Sequence, residues 1–317
     1  MTLFDPERGR PIVAPPCAGP GCWAGASGSY AERGDTYLVY RMRRPHPGRG
    51  YEVRIAASHD GQRFDTVWSA GKERFGAESI ERCALTRAGD VWLLYASFVR
   101  RSDRRWCIGL VEARSIDAFD ANAMVVVLDP LDLGLAAVKD PWLRRDGGRW
   151  LMFVSCGIPP ASEDAGLHAT GDALSTGRTL SASGIATSVD GRRWMWEGPT
   201  LWPSAAGWDK FTARLSTAIR DGDGWIGLYD GSASLAENYE ERCGLARSRD
   251  LRQWERLSTE RPAIGTAFGP GGVRYVDISD AGDAFYEYTR PDGSHELRVA
   301  RTRRPAGTGR AEPLYGG

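Results

Sequence analysis

No apolar run in this 317-residue chain approaches the roughly 18 residues that a membrane span requires. The opening Met1-Thr2-Leu3-Phe4-Asp5-Pro6-Glu7-Arg8 has none of the apolar core that marks a signal peptide. Charge of either sign is not in excess, with 41 basic residues against 41 acidic, so net charge gives no argument for a nucleic-acid or membrane partner. Histidine is scarce, with 4 residues, and the 6 cysteines at 17, 22, 83, 107, 156 and 243 form no Cys-x-x-Cys pair. A zinc site is therefore not expected, and neither is a cofactor. Scattered cysteines of this kind read as reduced thiols of a cytoplasmic protein, although Cys17 and Cys22 are near enough to pair in an oxidising compartment.

What the chain has in quantity is a repeated pattern. An aromatic-rich strand follows a Gly/Asp turn near Tyr37, Trp92, Trp150, Trp225 and Phe285. Three copies are followed by Ser-x-Asp-(Gly/Leu)-x-x-aromatic, at Ser58–Phe64, Ser188–Trp194 and Ser248–Trp254, with a looser copy at Ser115–Phe119. Short alternating strands recurring every roughly 45–70 residues indicate radial repetition of small sheets. The expected fold is all-β: a five-bladed β-propeller occupying the whole chain as one domain. Its blades fall at about 25–68, 79–128, 138–196, 211–257 and 271–301. The last blade is a strand short, and the segment near Pro11–Ala14 is expected to lend that strand and close the ring. The tail after Pro305, rich in Gly, Pro and Ala, is expected to fray.

The Ser-x-Asp turns have an architectural explanation: Ser and Asp cap nearby amides, Gly supplies a positive φ, and the terminal aromatic packs between blades. A propeller's functional place is the mouth of its channel, lined by the first strand of each blade. Counting back about ten residues from each repeated aromatic gives Ser27, Arg82, Asp140, Arg214 and Arg274, with Glu81, Lys139 and Lys210 close by. Trp23, Trp142 and Trp208 lie beside these charges and could stack on a sugar face or simply pack between blades. Asp209 precedes the fourth blade. His168 falls in the longest insertion, Gly157–Thr179, and Cys83 reads as a small core residue.

These residues carry a resemblance. Lys139-Asp140-Pro141 followed by Arg145-Asp146-Gly147-Gly148-Arg149-Trp150-Leu151-Met152-Phe153 resembles the five-bladed propeller glycosidases, glycoside hydrolase families 43, 32, 68 and 130. The turns at Ala56–Gly61 and Leu245–Leu251 are similar to the blade ends of those families, and Tyr37–Arg41 to the first blade of the mannoside phosphorylase branch. The resemblance implies that Asp140 is the blade-three aspartate, which orients the sugar and tunes the acid. The carry-over is partial: the blade-one position reads Ala26-Ser27-Gly28-Ser29 and the blade-four position Thr212-Ala213-Arg214, neither with a carboxylate. Glu81-Arg82 lies near the acid of the phosphorylase branch without reproducing its Glu-Asp-Pro-Arg.

Glycosyl transfer needs two carboxyl groups across the scissile bond, or one where phosphate is the nucleophile. Asp140, Glu81 and Asp209 are the catalytic candidates. Arg82 beside Glu81 favours its ionised form and hence a base role. Arg82, Arg214, Arg274, Lys139, Trp142, Trp208 and Ser27 are the substrate-binding candidates. The arginine forks suit an anionic or strongly polar ligand. The expected function is a glycosidase-like enzyme, a hydrolase or a phosphorylase, acting on a polar sugar in the channel. The competing reading is a propeller that has lost this chemistry and transforms, or merely binds, another small polar molecule.

Overall fold

The computed structural model describes residues 3–162, 164, 166–269 and 271–303. The tail after Pro305 lies outside them. The chain is all-β, as expected, with 3-10 turns as its only helical elements among the described residues. Among the described residues no helix is long and apolar enough to cross a membrane.

After the short strand β1 (Arg10–Val13), the strands form five consecutive antiparallel units. Unit one holds β2 (Trp23–Glu32), β3 (Asp35–Arg44), β4 (Arg49–Ser58) and β5 (Asp65–Gly71). Unit two holds β6 (Ala77–Ala88), β7 (Val91–Arg100), β8 (Trp106–Ala113) and β9 (Val125–Leu128). Unit three holds β10 (Ala137–Asp146), β11 (Arg149–Ile158), β12 (Leu180–Ser188) and β13 (Met195–Leu201). Unit four holds β14 (Thr212–Asp221), β15 (Gly224–Ser232), β16 (Arg242–Ser248) and β17 (Glu255–Arg256). Unit five has three strands of its own, β18 (Val273–Ile278), β19 (Asp283–Thr289) and β20 (His295–Arg301), and β1 pairs antiparallel with β20.

The repeated Gly/Asp turn joins the first strand of a unit to the second. Its glycine adopts the left-handed conformation that a side chain would resist, at φ 92° for Gly34 and 85° for Gly282. The Ser-x-Asp turns are architectural: the Asp60, Asp190 and Asp250 carboxylates each accept the amides two and three residues on. The looser copy at Ser115 makes no such side-chain cap.

The first strands lie against one another in a cycle: β2 on β6, β6 on β10, β10 on β14, β14 on β18 and β18 on β2. Apolar clusters fill the wedges between consecutive units. Tyr30, Val39 and Trp68 of unit one pack with Leu85, Trp92 and Phe98 of unit two, and comparable clusters follow at the other junctions. Each junction buries several large side chains, worth about 1.5–3 kcal/mol apiece. The polar side chains left on the first strands therefore point to the shared axis.

Cys17 and Cys22 form a disulfide, where the scattered spacing reads as reduced thiols. The remaining four cysteines are free and buried.

Candidate active site

Every first strand carries the same irregularity. Register jumps from Gly25↔Arg41 to Gly28↔Val39, from Ile80↔Phe98 to Cys83↔Ala96, and from Lys139↔Ser155 to Trp142↔Phe153. It jumps likewise from Arg214↔Asp230 to Thr217↔Leu228 and from Arg274↔Glu287 to Asp277↔Phe285. Two residues oppose one each time, a bulge that kinks the strand and re-aims its side chains. The aromatics counted from on the sequence are not equivalent, Tyr37 standing four residues before Arg41, Trp92 six before Phe98 and Phe285 two before Glu287, so the count mixes three levels of the axis. A slip of one residue turns a strand side chain to the other face. The correct levels are Gly25, Ile80, Lys139, Arg214 and Arg274; then Ala26, Glu81, Asp140, Leu215 and Tyr275; then Ser27, Arg82, Pro141, Ser216 and Val276.

The bulges are held from neighbouring units. The Ala26 amide donates to Glu287, that of Asp140 to Ser97, that of Leu215 to Ser183 and that of Tyr275 to Asp230. Ala26, Asp140 and Tyr275 sit at φ 51°, 58° and 52°, a conformation costly to residues with a Cβ.

At the third level, Arg82 crosses the axis. It donates from Nε to the Ser27 carbonyl at 3.0 Å and from NH1 to the Ser216 carbonyl at 2.8 Å, and its third nitrogen lies 3.6 Å from Asp277. Asp277 in turn accepts the Ser29 amide and hydroxyl and the Trp142 indole N–H at 2.9 Å. One buried knot thus ties all five units, with Arg82, Trp142 and the Ser27 backbone as members. Below it opens a cavity of about 80 Å³ lined in part by Thr86, Trp142, Arg144 and Asp277.

The first two levels form a chamber of interleaved charge. Arg41, on β3, donates from Nε to Glu81 at 2.7 Å and lies 3.0 Å from Glu287. Arg274 donates to Glu241 at 2.8 Å and lies 3.4 Å from Glu287, and Arg214 reaches the other oxygen of Glu241 at 3.2 Å. The Lys139 ammonium lies 3.4 Å from Asp140 and 5.0 Å from the Trp106 ring centre. His295 bridges Glu287 at 2.7 Å and Glu240 at 2.9 Å beneath the stacked Trp23 ring. The expected cationic mouth is therefore a lattice in which carboxylates face the cations.

The electrostatics follow. Burial tends to raise the Glu81 carboxyl, but Arg41, Lys139 and Arg274 outweigh it and hold Glu81 below the usual range. Burial is likewise overcome at Glu241, by Arg274 and Arg214, and at Glu287, by Arg41 and Arg274. Asp230 goes the other way: burial pushes it up to about 7 against the Tyr275 amide that it accepts. Burial also raises the Cys83 thiol well above its ordinary value, which leaves it an inert core residue.

Asp140 is a carboxylate with spare capacity. One oxygen accepts the Ser155 hydroxyl at 3.0 Å, and the other has no hydrogen-bond partner among the described residues. The chamber is closed: Glu81, Asp140 and Tyr275 are 4%, 2% and 2% exposed. Part of the cover is the unit-three insertion. Asp172 accepts the Trp106 indole and the Tyr239 hydroxyl, Arg49 holds the Thr170 and Gly171 carbonyls, and His168 meets Arg105.

Two candidates lie elsewhere. Asp209 is buried in unit four, accepting the Tyr229 hydroxyl and forming a 2.7 Å ion pair with Arg256 of the outer strand β17. Trp208 stacks on Tyr229 and donates to the Ser258 carbonyl. Neither joins Glu81 and Asp140. Arg41, Asp230, Glu241, Glu287 and Tyr275 are the residues the sequence reading missed. Most could be found from the polar residue that interrupts four of the aromatic-rich second strands opposite the first level: Arg41, Ser155, Asp230 and Glu287. Glu287 also fills the space at unit one where no carboxylate exists in sequence, since a Cβ on Gly25 would fall 2.2 Å from its carboxylate oxygen.

The sequence matches no protein-family profile and no curated protein. Solved structures do match. A β-1,2-mannobiose phosphorylase from Listeria innocua, in complex with β-1,2-mannobiose, superposes with a TM-score of 0.59 at 17% identity over 94% of either chain. A thermostable family-43 glycoside hydrolase gives 0.64 at 14% identity, over 95% of this chain and 98% of that one. A structure described under the family-130 mannoside phosphorylases, which contain glycoside hydrolases targeting β-1,2 mannosidic linkages in Candida mannan, gives 0.60 at 14% over 98% and 96%. The chain shares the fold of these propeller-type glycoside hydrolases.

Proposed function

We propose that the five units are the blades of a single propeller domain, with β1 closing the ring, and that the chamber on its axis acts on a glycosidic bond of a polar sugar. The observation that carries this reading is the pairing, at one level of the axis, of an ionised carboxylate with a carboxylate that has a free oxygen. Glu81, locked ionised against Arg41, suits the base. Asp140 presents its spare oxygen to a substrate hydroxyl. Asp209 takes no part.

The lattice of cations and carboxylates favours a neutral, hydroxyl-rich ligand over an anionic one. Arg214 and Arg274 are already engaged by Glu241, and an anion would meet Asp140 and Glu81. A second reading is favoured by a separate observation: Ala26 and Leu215 stand at the level of Glu81 and Asp140 in units one and four, so two of the usual carboxylate positions are empty of acid. On that reading the chamber binds or transforms another small polar molecule.

Turnover of a panel of aryl glycosides, with and without inorganic phosphate, separates the two. Activity lost in both Glu81→Gln and Asp140→Asn supports the glycoside reading; binding without turnover across the panel sinks it. Phosphate dependence assigns phosphorolysis. The location is a separate matter. Disulfides persist in oxidising compartments, so the Cys17–Cys22 bond favours such a compartment over the expected cytoplasm. Alkylation of the unfolded, unreduced protein as isolated should label four cysteines; labelling of all six returns the protein to a reducing one.

A further inference from the structure

Tyr275 occupies the same bulge position on β18 that Glu81 occupies on β6 and Asp140 on β10. It is 2% exposed, and its hydroxyl has no hydrogen-bond partner among the described residues. Buried hydroxyls without partners are rare, and each is costly to the fold. The backbone cost is added to this: φ is 52°, in the left-handed region, where a bulky side chain is an outlier. Asp230 clamps the Tyr275 amide with both carboxylate oxygens, at 3.1 and 3.0 Å, and Arg274 lies 4.5 Å over the ring. The surroundings thus enforce an unfavourable backbone and a fixed ring while leaving the ring's polar end unused.

The bulge places Tyr275 at the axis level of Glu81 and Asp140. Burial first, then the carboxylates of Asp140 and Glu81, raise the phenol well above its ordinary value, with Arg274 and Arg214 opposing. These groups come from units two, three, four and five, and they meet only on the axis. The hydroxyl is therefore neutral at any physiological pH and able to donate. Asp140 has one free oxygen at the same level, able only to accept.

We infer that the Tyr275 hydroxyl and the free Asp140 oxygen form a donor–acceptor pair for adjacent hydroxyls of a neutral saccharide, with Tyr275 a substrate-contacting residue. One sugar oxygen accepts from the phenol and its neighbour donates to the carboxylate. A carboxylate or phosphate in the same place could accept from Tyr275 but would be repelled by Asp140. The inference rests on the glycoside reading for its ligand class.

Tyr275→Phe tests it through two readouts. Removing a buried hydroxyl that has no protein partner relieves its desolvation penalty, so the melting temperature should be unchanged or higher by a few degrees. The kcat/KM on the best aryl glycoside should fall about ten- to hundredfold. Binding of the free monosaccharides mannose, glucose, galactose, xylose and arabinose, followed by tryptophan fluorescence, should weaken by a similar factor. A melting temperature lower by several degrees would show a structural partner for the hydroxyl and overturn the inference. So would unchanged kcat/KM or unchanged saccharide binding. If the wild type turns over no glycoside, the glycoside reading fails, and Tyr275 is judged on binding alone: weakened binding supports it, while a wild type that binds none of the five sugars overturns it as well.

Discussion

All three levels of the axis carry charged residues, and the lower two differ in one respect. At the lower level Arg82 reaches the Ser27 and Ser216 carbonyls and Asp277, while Asp277 collects Ser29 and Trp142. At the level above, Asp140 keeps an oxygen free and Tyr275 a hydroxyl. Both levels are buried and polar, and both draw on several units. Burial and charge therefore do not separate scaffold from site here. What separates them is whether the protein itself uses the polar atoms. The lower knot uses two of the three Arg82 nitrogens in hydrogen bonds and sets the third 3.6 Å from Asp277, leaving that nitrogen and the Ser27 hydroxyl without a hydrogen bond, and it fixes the arrangement of units as buried networks do when most members are paired. An unsaturated pair costs stability and is retained where a ligand supplies the missing partner.

The sharpest way to break this contrast is to exchange the expected roles. Glu81→Gln and Asp140→Asn should fold with a near-native circular dichroism spectrum, and each should lose about 10³-fold or more in kcat/KM, roughly 4 kcal/mol of transition-state stabilisation. Arg82→Met should do the reverse. It strands Asp277 and two carbonyls, and removal of one partner from a buried pair costs about 3–5 kcal/mol in a denaturant titration. The fraction still folded should bind saccharide as the wild type does. Loss of catalysis without loss of stability in Arg82→Met would erase the distinction between the levels.

A third test sharpens it through pH. Asp230, which holds the Tyr275 bulge, titrates near 7 when folded and near 3.8 as the free side chain. The folded state then binds the proton more tightly, so its contribution is fully present below about pH 4 and is lost as pH rises through about 7. The amount is at most about 4 kcal/mol. Asp230→Asn should flatten that decline and be more stable than wild type at pH 8. Glu81 and Glu287 have the opposite sign. Their carboxyls are held below the usual range, so their contribution is present above their unfolded values and fades under acid. A wild-type profile flat between pH 5 and 8 would show that Asp230 is ionised throughout.

Much of the fold was legible because repetition makes it redundant. Five Gly/Asp turns and three Ser-x-Asp turns each mark the same place in a unit, and pairing of β1 with β20 was expected at the residues where it occurs. Asp140 and Glu81 were legible as carboxylates on apolar first strands. The rest was hidden by the bulges. A two-for-one bulge leaves no mark on composition or period, and the aromatics counted from stand at different places along their strands, so counting assigned Arg82 to the chamber and missed Tyr275. Asp209 and Trp208 looked like site residues because they precede a first strand, but the Arg256 guanidinium draws Asp209 outward. Arg41 and Glu287 mark a recurrent polar position on the second strands that a search of first strands alone passes over, and Glu241 comes from a loop, where no strand pattern points inward.

The central claim is that a saccharide pairs with Asp140 and Tyr275 and leaves the Arg82 knot alone. The most direct measurement is a crystal structure of the chain soaked with β-1,2-mannobiose and, separately, with mannose. The expected result is sugar hydroxyls within about 3.2 Å of the free Asp140 oxygen and the Tyr275 hydroxyl, with the Arg82 knot unchanged. Sugar bound away from the axis, or on it without touching either group, would contradict the claim.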